Sequence, residues 1–210
     1  MSVTEAPAPA VSKRDVRREG ILDVARGVFL SEGYATASMS TIAAKLGGSK
    51  GTLYNYFKSK EELLSAVVQR HCSWQSEAMF SHLVEGLDVR SALTKVGREH
   101  LMLVSSDDTL AMFRLIVAES ARDPAIGKLF YESGPLRGVR RLASFLEQAA
   151  ARGELQPFDD ATDAAHMFIA LCQNRLLKAR LCSYVDQPGK AAFDRNVAMA
   201  VDMFMRAFGT

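Results

Sequence analysis

The stretch SMSTIAAKLGGSKGTLYNYFKSKEELL, residues 38–64, predicts two short helices joined by a tight turn. Ser38 is a favourable N-cap for a first helix that ends at Gly47, because its hydroxyl can accept from a backbone N–H of the first turn. Ser49 is an equivalent cap for a second helix, which is predicted to run from Lys50 to about Phe57. Two short helices joined in this way form the helix-turn-helix pattern.

Longer helices are predicted on both sides of this turn. The segment Asp15–Ser31 has apolar residues at i, i+4, i+7 and i+8, which form one buried stripe: Ile21, Ala25, Val28 and Phe29. After the turn, Ser59 and Glu62 fit the S-x-x-E capping box and predict a helix that continues into the eighties. The spacing also places Leu53 and Phe57 on the buried side of the second short helix.

The rest of the chain shows helical periodicity and no alternating strand pattern, so the fold class is predicted to be all-α with about nine to ten helices. Breaks rich in Gly, Pro and Asp divide this part into further helices. They are predicted near 88–104, 108–122, 124–133, 136–152, 159–182 and 190–208.

Composition limits the classes of function. Residues 1–60 carry nine Lys and Arg against five acids, a net charge of +4, whereas the remainder carries 17 against 19, a net charge of −2. A basic end on a slightly acidic body favours a polyanionic partner. The three Cys residues lie far apart without a CxxC motif, and no stretch is apolar enough for a signal peptide or a membrane span. We therefore expect a reduced, cytoplasmic protein without a membrane partner.

Leu53 and Phe57 are predicted to face inward on the second short helix, so its other side chains face outward, and their chemistry is suited to binding DNA. Lys50 can donate to guanine, Asn55 can pair with adenine, and Thr52 can contact a base or a thymine methyl. Tyrosine hydroxyls and neighbouring polar groups suit phosphate oxygens, and Gly51 would let the backbone approach the duplex closely. The predicted DNA-binding residues are Ser40, Thr41, Lys50, Gly51, Thr52, Tyr54, Asn55, Tyr56 and Lys60.

The run at 38–64, with the amphipathic helix before it, resembles the DNA-binding signature of the tetracycline-repressor (TetR) family. The glycine, aromatic, lysine and cap positions match in register from about Asp15 to Val68. One position departs: Gly48 stands where the family usually has an apolar residue such as valine. The resemblance implies that Lys50, Gly51, Thr52, Tyr54, Tyr56 and Lys60 occupy the positions that usually meet DNA.

The composition of residues 1–14 predicts a disordered arm. The resemblance implies a helix-turn-helix domain at 15–68 and a helical effector-binding and dimerisation domain at 69–210. The segment 113–138 resembles an efflux-regulator (AefR-type) C-terminal domain. The predicted dimer interface consists of Phe168, Leu171, Phe193, Val197, Ala200 and Phe204. The predicted effector-binding residues are His100, Met102, Phe113, Ile116, Glu119, His166, Phe168, Cys172, Asn174 and Arg175.

The resulting prediction is a homodimeric repressor that binds a palindromic double-stranded operator and is released by a small, largely apolar effector. No cofactor and no metal are expected, because the four His residues form no HExxH and no closely spaced ligand set. Three alternatives remain at this stage. They are a helical small-molecule-binding or thiol redox-sensing protein without DNA binding, a helical interaction module, and a helical enzyme.

Overall fold

The structure, a computed structural model, describes residues 12–80 and 87–210, without the side chains of 73–80. These residues form ten α-helices and no strand, which confirms the all-α prediction. The helices are α1 (Lys13–Glu32), α2 (Met39–Lys45), α3 (Lys50–Tyr54), α4 (Lys60–Phe80), α5 (Val89–Val104), α6 (Asp107–Ser120), α7 (Pro124–Ser133), α8 (Pro135–Ala151), α9 (Ala161–Leu181) and α10 (Lys190–Phe208). The chain divides into two compact units, the first ending at Val67 and the second beginning at Val68.

Helix α1 begins two residues earlier than the sequence predicts. The Ser12 hydroxyl accepts from the backbone N–H of Asp15 at 3.1 Å, and the Asp15 carboxylate accepts from the backbone N–H of Ser12 at 3.3 Å. This reciprocal capping box fixes the start, so Lys13 and Arg14 are helical rather than part of the predicted disordered arm. The hydrogen bonds from Ser12 also hold the pKa of Asp15 below its usual value. The rest of the predicted arm, 1–11, lies outside the described residues.

The core of the first unit contains the predicted stripe. Ile21, Ala25, Val28 and Phe29 on α1 are buried, as are Leu53 and Phe57 after the turn. Helix α3 ends at Tyr54 rather than near Phe57, because the backbone N–H of Tyr56 bonds the carbonyl of Leu53 in a tighter turn. At the start of α4, the Ser59 hydroxyl caps Glu62 as predicted. The Glu62 carboxylate, however, accepts from the backbone N–H of Lys58, one residue earlier than predicted.

The core of the second unit is formed by α5, α8, α9 and α10. Phe168 of α9 and Phe204 of α10 are both 1% exposed, and their rings meet edge to face with centroids 5.4 Å apart. Gly97 of α5 allows this close packing, because a Cβ there would lie 3.0 Å from Cys172 Sγ and 3.1 Å from Val197 Cγ1. Buried Asn196 donates to the Cys172 carbonyl and ties α10 to α9.

Five of the six predicted interface residues belong to this core. Their side chains are buried among residues of their own chain: Phe168, Phe193, Val197, Ala200 and Phe204. Leu171 is partly buried. The exposed apolar residues of the same helices are methionines instead, with Met167 on α9 and Met199 and Met203 on α10 each about half exposed.

Helix α9 is interrupted at Asn174, whose backbone (φ 38°, ψ −138°) is not helical. A positive φ is costly for a residue with a Cβ, of the order of 1–3 kcal/mol, so the surrounding contacts must hold it. Beyond the kink, buried Arg180 donates to the Ser105 carbonyl at 3.3 Å and to the Asp107 carboxylate at 2.5 Å. These bonds anchor the end of α9 to the loop between α5 and α6.

Candidate nucleic-acid interface and ligand cavity

Helix α3 presents a short polar and aromatic surface. Lys50, Gly51, Tyr54 and Asn55 are exposed, and Tyr54 retains 42% of its accessible surface. The Lys50 ammonium lies 5.8 Å from the centroid of the Tyr54 ring, within the range of a cation–π contact, so both side chains occupy one side of the helix. Buried Leu53 holds the opposite side. The residues that sequence periodicity predicts as outward-facing are therefore brought together.

The remaining predicted polar groups on α2 and α3 are partly engaged. The Thr52 hydroxyl lies 3.0 Å from the Ser49 hydroxyl, and the Thr41 hydroxyl lies 2.9 Å from the Ser38 hydroxyl. Ser40 is exposed. Tyr56 is half-buried, and the Arg14 guanidinium lies 5.9 Å from its ring centroid. A Cβ on Gly51 would lie 3.7 Å from the nearest atom, Ser49 Oγ, so the fold of the first unit does not require a glycine at this position.

Lys60, one of the predicted DNA-binding residues, makes hydrogen bonds within the first unit. Its ammonium donates to the Tyr34 carbonyl at 2.8 Å and to the Ala37 carbonyl at 3.0 Å. It also lies 4.3 Å from the centroid of the Tyr34 ring, whose hydroxyl donates to Glu61 at 3.2 Å. Two of its three donors are thus used to hold the loop between α1 and α2. No local sequence pattern indicates these hydrogen bonds, because the accepting carbonyls lie 26 and 23 residues away from Lys60.

The second unit contains a cavity of about 410 Å³. That volume is in the range of small-molecule sites. Three predicted effector residues line it, namely His100, Phe113 and His166. The other described lining residues are mostly apolar or aromatic: Cys72, Leu103, Val104, Thr109, Phe130, Tyr131, Gly134, Pro135, Gly138, Val139, Ile169, Ala170, Gln173 and Leu177.

Seven predicted effector residues do not line this cavity. Met102, Asn174 and Arg175 are exposed to solvent. Ile116 and Glu119 are buried in α6 and are not among the residues that line the cavity. Phe168 and Cys172 belong to the core of the second unit. The side of α9 that lines the cavity consists of His166, Ile169, Ala170, Gln173 and Leu177, and Gln173 is its main polar group. Sequence periodicity identifies both sides of α9 as apolar without deciding which one faces a cavity.

His100 and Gln173 form the polar centre of the cavity. Their side-chain nitrogens Nε2 and Nε2 lie 3.0 Å apart. Because an amide nitrogen can only donate, the His100 Nε2 accepts and its ring proton sits on Nδ1. Burial lowers the pKa of His100 to about 4, so the ring is neutral near pH 7. None of the described lining residues is Lys, Arg, Asp or Glu. The described cavity wall therefore offers hydrogen bonds without formal charge.

Two of the three thiols are unsuited to redox sensing. Burial raises the pKa of both Cys72 and Cys172 to about 12, which keeps them protonated near neutral pH. Cys182 is exposed. His71 is buried and its Nδ1 lies 3.8 Å from an Asp108 carboxylate oxygen, whereas the neighbouring Cys72 lines the cavity. In the part of the chain that the structure describes, no group of three or more His, Cys, Asp or Glu residues is placed to hold a metal ion.

The first unit is a helix-turn-helix with an exposed α3, and the second is a helical unit with a cavity. A DNA-binding unit and a cavity-containing unit in one polypeptide are typical of DNA-binding regulators. Residues 21–67 match the profile of bacterial regulatory proteins of the tetR family, and residues 91–210 match the C-terminal domain of AefR-like transcriptional repressors. The chain belongs to the TetR family of transcriptional regulators. The predicted family and C-terminal type are confirmed, and the chain is a transcription regulator rather than an enzyme.

Individual relatives extend over most of the chain. The HTH-type transcriptional repressor ComR of Escherichia coli K12 is 30% identical over 166 residues, covering 78% of this chain and 79% of ComR. The flavonoid-responsive regulator FrrA superposes with a TM-score of 0.81 and 32% identity, covering 92% of this chain and 97% of FrrA. A crystal structure assigned to the TetR family, from Mesorhizobium loti, has a TM-score of 0.87 and 27% identity over 95% of this chain and all (100%) of that one. Among the described helices, none has both the length and the apolar character needed to cross a bilayer.

Proposed function

We propose that this regulator is a cytoplasmic homodimeric repressor that binds a palindromic operator through α3 and releases it when a small neutral molecule fills the cavity of the second unit. The observation that carries this proposal is the occurrence, in one chain, of an exposed α3 and a largely apolar cavity of about 410 Å³. The domain limits proposed with it are 15–68 for DNA binding and 69–210 for effector binding and dimerisation.

DNA reading is proposed for the exposed side of α3. Lys50 in its first turn can donate to guanine O6 or N7, and Asn55 can bond the N6 and N7 edge of adenine. Tyr54 lies beside Lys50, so its hydroxyl is placed to reach a phosphate when the lysine enters the major groove. Thr52, Tyr56, Ser40 and Thr41 supply further hydroxyls around this centre.

A binding experiment tests this assignment. An operator is selected from random DNA with the purified full chain, and affinity is measured by fluorescence anisotropy at fixed salt. The double variant Lys50→Ala/Tyr54→Ala is expected to lose at least about 100-fold in affinity, since a good base contact alone is worth about 1–3 kcal/mol per subunit. Lys58→Ala, an exposed lysine outside α3, is the matched control. An unchanged affinity in the double variant would remove α3 as the reading helix.

Dimerisation is proposed through the exposed methionines of α9 and α10, in place of the buried residues that the sequence predicts. Met199 and Met203 are one helical turn apart, and Met167 is exposed on α9. A two-fold dimer gives two reading helices, which suits a palindrome. Met199→Lys/Met203→Lys is expected to make the chain monomeric in sedimentation at micromolar concentration, with its helix content unchanged. Met102→Lys, which alters an equally exposed methionine of α5, is expected to leave the dimer intact.

The cavity favours a neutral effector that carries a hydrogen-bonding group. A carboxylate or ammonium ligand would be buried among the described lining residues without a counter-ion, which is costly. His100 and Gln173 can exchange their mutual hydrogen bond for bonds to a hydroxyl or carbonyl. Phe113 and Phe130, whose ring centroids lie 5.7 Å apart, form an aromatic wall. The name of the flavonoid-responsive relative FrrA supports a planar aromatic molecule of this kind.

Calorimetry with two ligand types tests the effector class. A panel of uncharged hydroxyflavones is compared with long-chain fatty acids of similar volume at neutral pH. The hydroxyflavones are expected to bind more tightly, and Gln173→Leu is expected to weaken them while leaving the melting temperature unchanged. Tighter binding of the fatty acids would contradict the proposed neutral class.

Release is proposed to occur by a population shift. The effector favours a conformation of the dimer whose reading helices no longer match two major grooves, and it can shift the equilibrium only by its differential affinity for the two conformations. Helix α4, Lys60–Phe80, contains residues of both units and is the proposed lever between them.

A further inference from the structure

We propose that Arg14 and Arg17 on α1 form a phosphate clamp beside the helix-turn-helix, and that Gly48 is present in the turn to admit the Arg17 guanidinium. This inference rests on the proposed binding of DNA through α3. The ligand of the clamp is the phosphodiester backbone that flanks the bases contacted by α3, and its contribution is independent of base sequence.

Gly48 provides the first observation. The Arg17 Nη2 lies 3.4 Å from the position that a Cβ on Gly48 would occupy. This is ordinary van der Waals contact for an alanine, but the methyl groups of a valine extend beyond Cβ and would meet the guanidinium. The turn thus carries no side chain at the one position where the TetR signature usually has an apolar one, and the tip of Arg17 lies over that position instead.

The neighbouring arginines are positioned by aromatic rings of the same unit. The Arg14 guanidinium lies 5.9 Å from the Tyr56 ring centroid, and that of Arg18 lies 5.4 Å from the Phe57 ring centroid. A guanidinium held against a ring loses less rotational freedom when it binds a phosphate. Tyr56 lies two residues after the end of α3, so the contact with Arg14 brings the start of α1 close to the end of the reading helix.

The charge balance favours an external anion. Within the described ranges, no carboxylate is ion-paired to Arg14 or Arg17, and both side chains are exposed. The nearby acids are engaged elsewhere, since Asp15 accepts from Ser12 and Glu19 lies 3.6 Å from Arg18. Arg14 and Arg17 are thus exposed cations without an ion-pair partner among the described residues, in the same unit as the exposed Lys50. Arginine forks match phosphate geometry, and contacts beside a recognition helix go mainly to phosphates.

Phosphate contacts have a specific signature in the salt dependence of binding. Each neutralised phosphate contributes about −0.9 to the slope of log K against log salt concentration. Replacing Arg17 in both subunits of a dimer is therefore expected to make the slope less negative by about 2. The loss should be equal for the operator and for unrelated duplex DNA, because the clamp reads no bases.

The experiment measures this slope by fluorescence anisotropy for the full-length protein, on the selected operator and on a scrambled duplex. Arg17→Ala and Arg14→Ala are expected to lower both affinities by the same factor and to reduce the slope. Lys128→Ala, which removes an exposed cation from α7 in the second unit, should leave both unchanged. An unchanged slope in Arg17→Ala would overturn the clamp, as would a loss confined to the operator.

Gly48 variants test the steric part without altering charge. Gly48→Val is expected to make the salt slope less negative, as Arg17→Ala does, whereas Gly48→Ala is expected to keep the wild-type slope. In the Arg17→Ala background, Gly48→Val is expected to add no further loss. A full additional loss in that double variant would show that Gly48 acts independently of Arg17. If Gly48→Val fails to fold, Gly48→Gln and the Arg17 variants decide. Failure of the wild-type chain to bind any operator would contradict the proposed function, whereas normal binding with an unchanged Arg17→Ala slope contradicts the clamp alone.

Discussion

Lys60 provides a direct test of how the first unit is held together, because its ammonium bonds two carbonyls of the loop between α1 and α2. The variant Lys60→Met keeps the length and apolar stem of the side chain while removing the ammonium. It deletes the bonds to the Tyr34 and Ala37 carbonyls at 2.8 and 3.0 Å and the contact with the Tyr34 ring at 4.3 Å. A hydrogen bond to a charged group contributes about 1.5–3 kcal/mol and a cation–π contact about 0.5–1 kcal/mol.

The net effect is smaller than that sum because Lys60 is only half-buried and the freed carbonyls can be hydrated. We expect a loss of about 2 kcal/mol in the free energy of opening of the first unit, which corresponds to a roughly 30-fold faster exchange of its protected amides. Hydrogen–deuterium exchange with mass spectrometry follows the peptides of α1 and α2, and exposed Lys58→Met controls for the lost charge. Exchange in Lys60→Met within about threefold of the wild type would refute the bracing role.

Three further predictions follow from burial and protonation. Phe204→Ala removes a side chain that is 1% exposed and should destabilise the second unit by about 3–5 kcal/mol in thermal melts, whereas an interface residue would mainly change the oligomeric state. Ellman's reagent should label one thiol per native chain, Cys182, and three after denaturation, because burial raises the pKa of Cys72 and Cys172 to about 12. The folded pKa of His100 is about 4 against 6.5 unfolded, so its contribution to stability is complete above pH 6.5 and decreases by about 3 kcal/mol as the pH falls to 4. His100→Gln should flatten that part of the urea-denaturation profile.

The starts of the helices could be predicted from sequence because their determinants are local. Ser38, Ser49 and Ser59 each cap a backbone N–H three residues ahead, and each hydroxyl lies 3.1 Å from that nitrogen. The buried side of α1 could also be predicted from local sequence, because the helical period of 3.6 residues is enough to identify it. The brace formed by Lys60 depends on carbonyls of a distant loop, so no local pattern could indicate it.

The exposed apolar residues of α10 and the lining of the cavity could not be predicted for a different reason. An apolar stripe shows that residues such as Phe193 and Val197 are buried, but not whether their own chain or a partner covers them. Their own chain does, and the exposed apolar surface falls on Met199 and Met203. On α9 the cavity is lined by residues that share one side of the helix, and Gln173 belongs to that side whereas Arg175 is exposed. Sequence alone leaves Gly48 unexplained, and the 3.4 Å between the Arg17 Nη2 and the position of a Cβ on Gly48 is what motivates the proposed clamp.

The decisive measurement for effector-controlled release is the affinity of the full-length protein for its selected operator during titration with the panel of neutral hydroxyflavones. At least one of them is expected to weaken operator binding at saturation. Gln173→Leu is expected to move the midpoint of that titration to higher ligand concentration without changing the affinity of the unliganded protein for DNA. An operator affinity that stays the same while calorimetry shows the cavity occupied would contradict the proposed release, as would a midpoint that Gln173→Leu does not move.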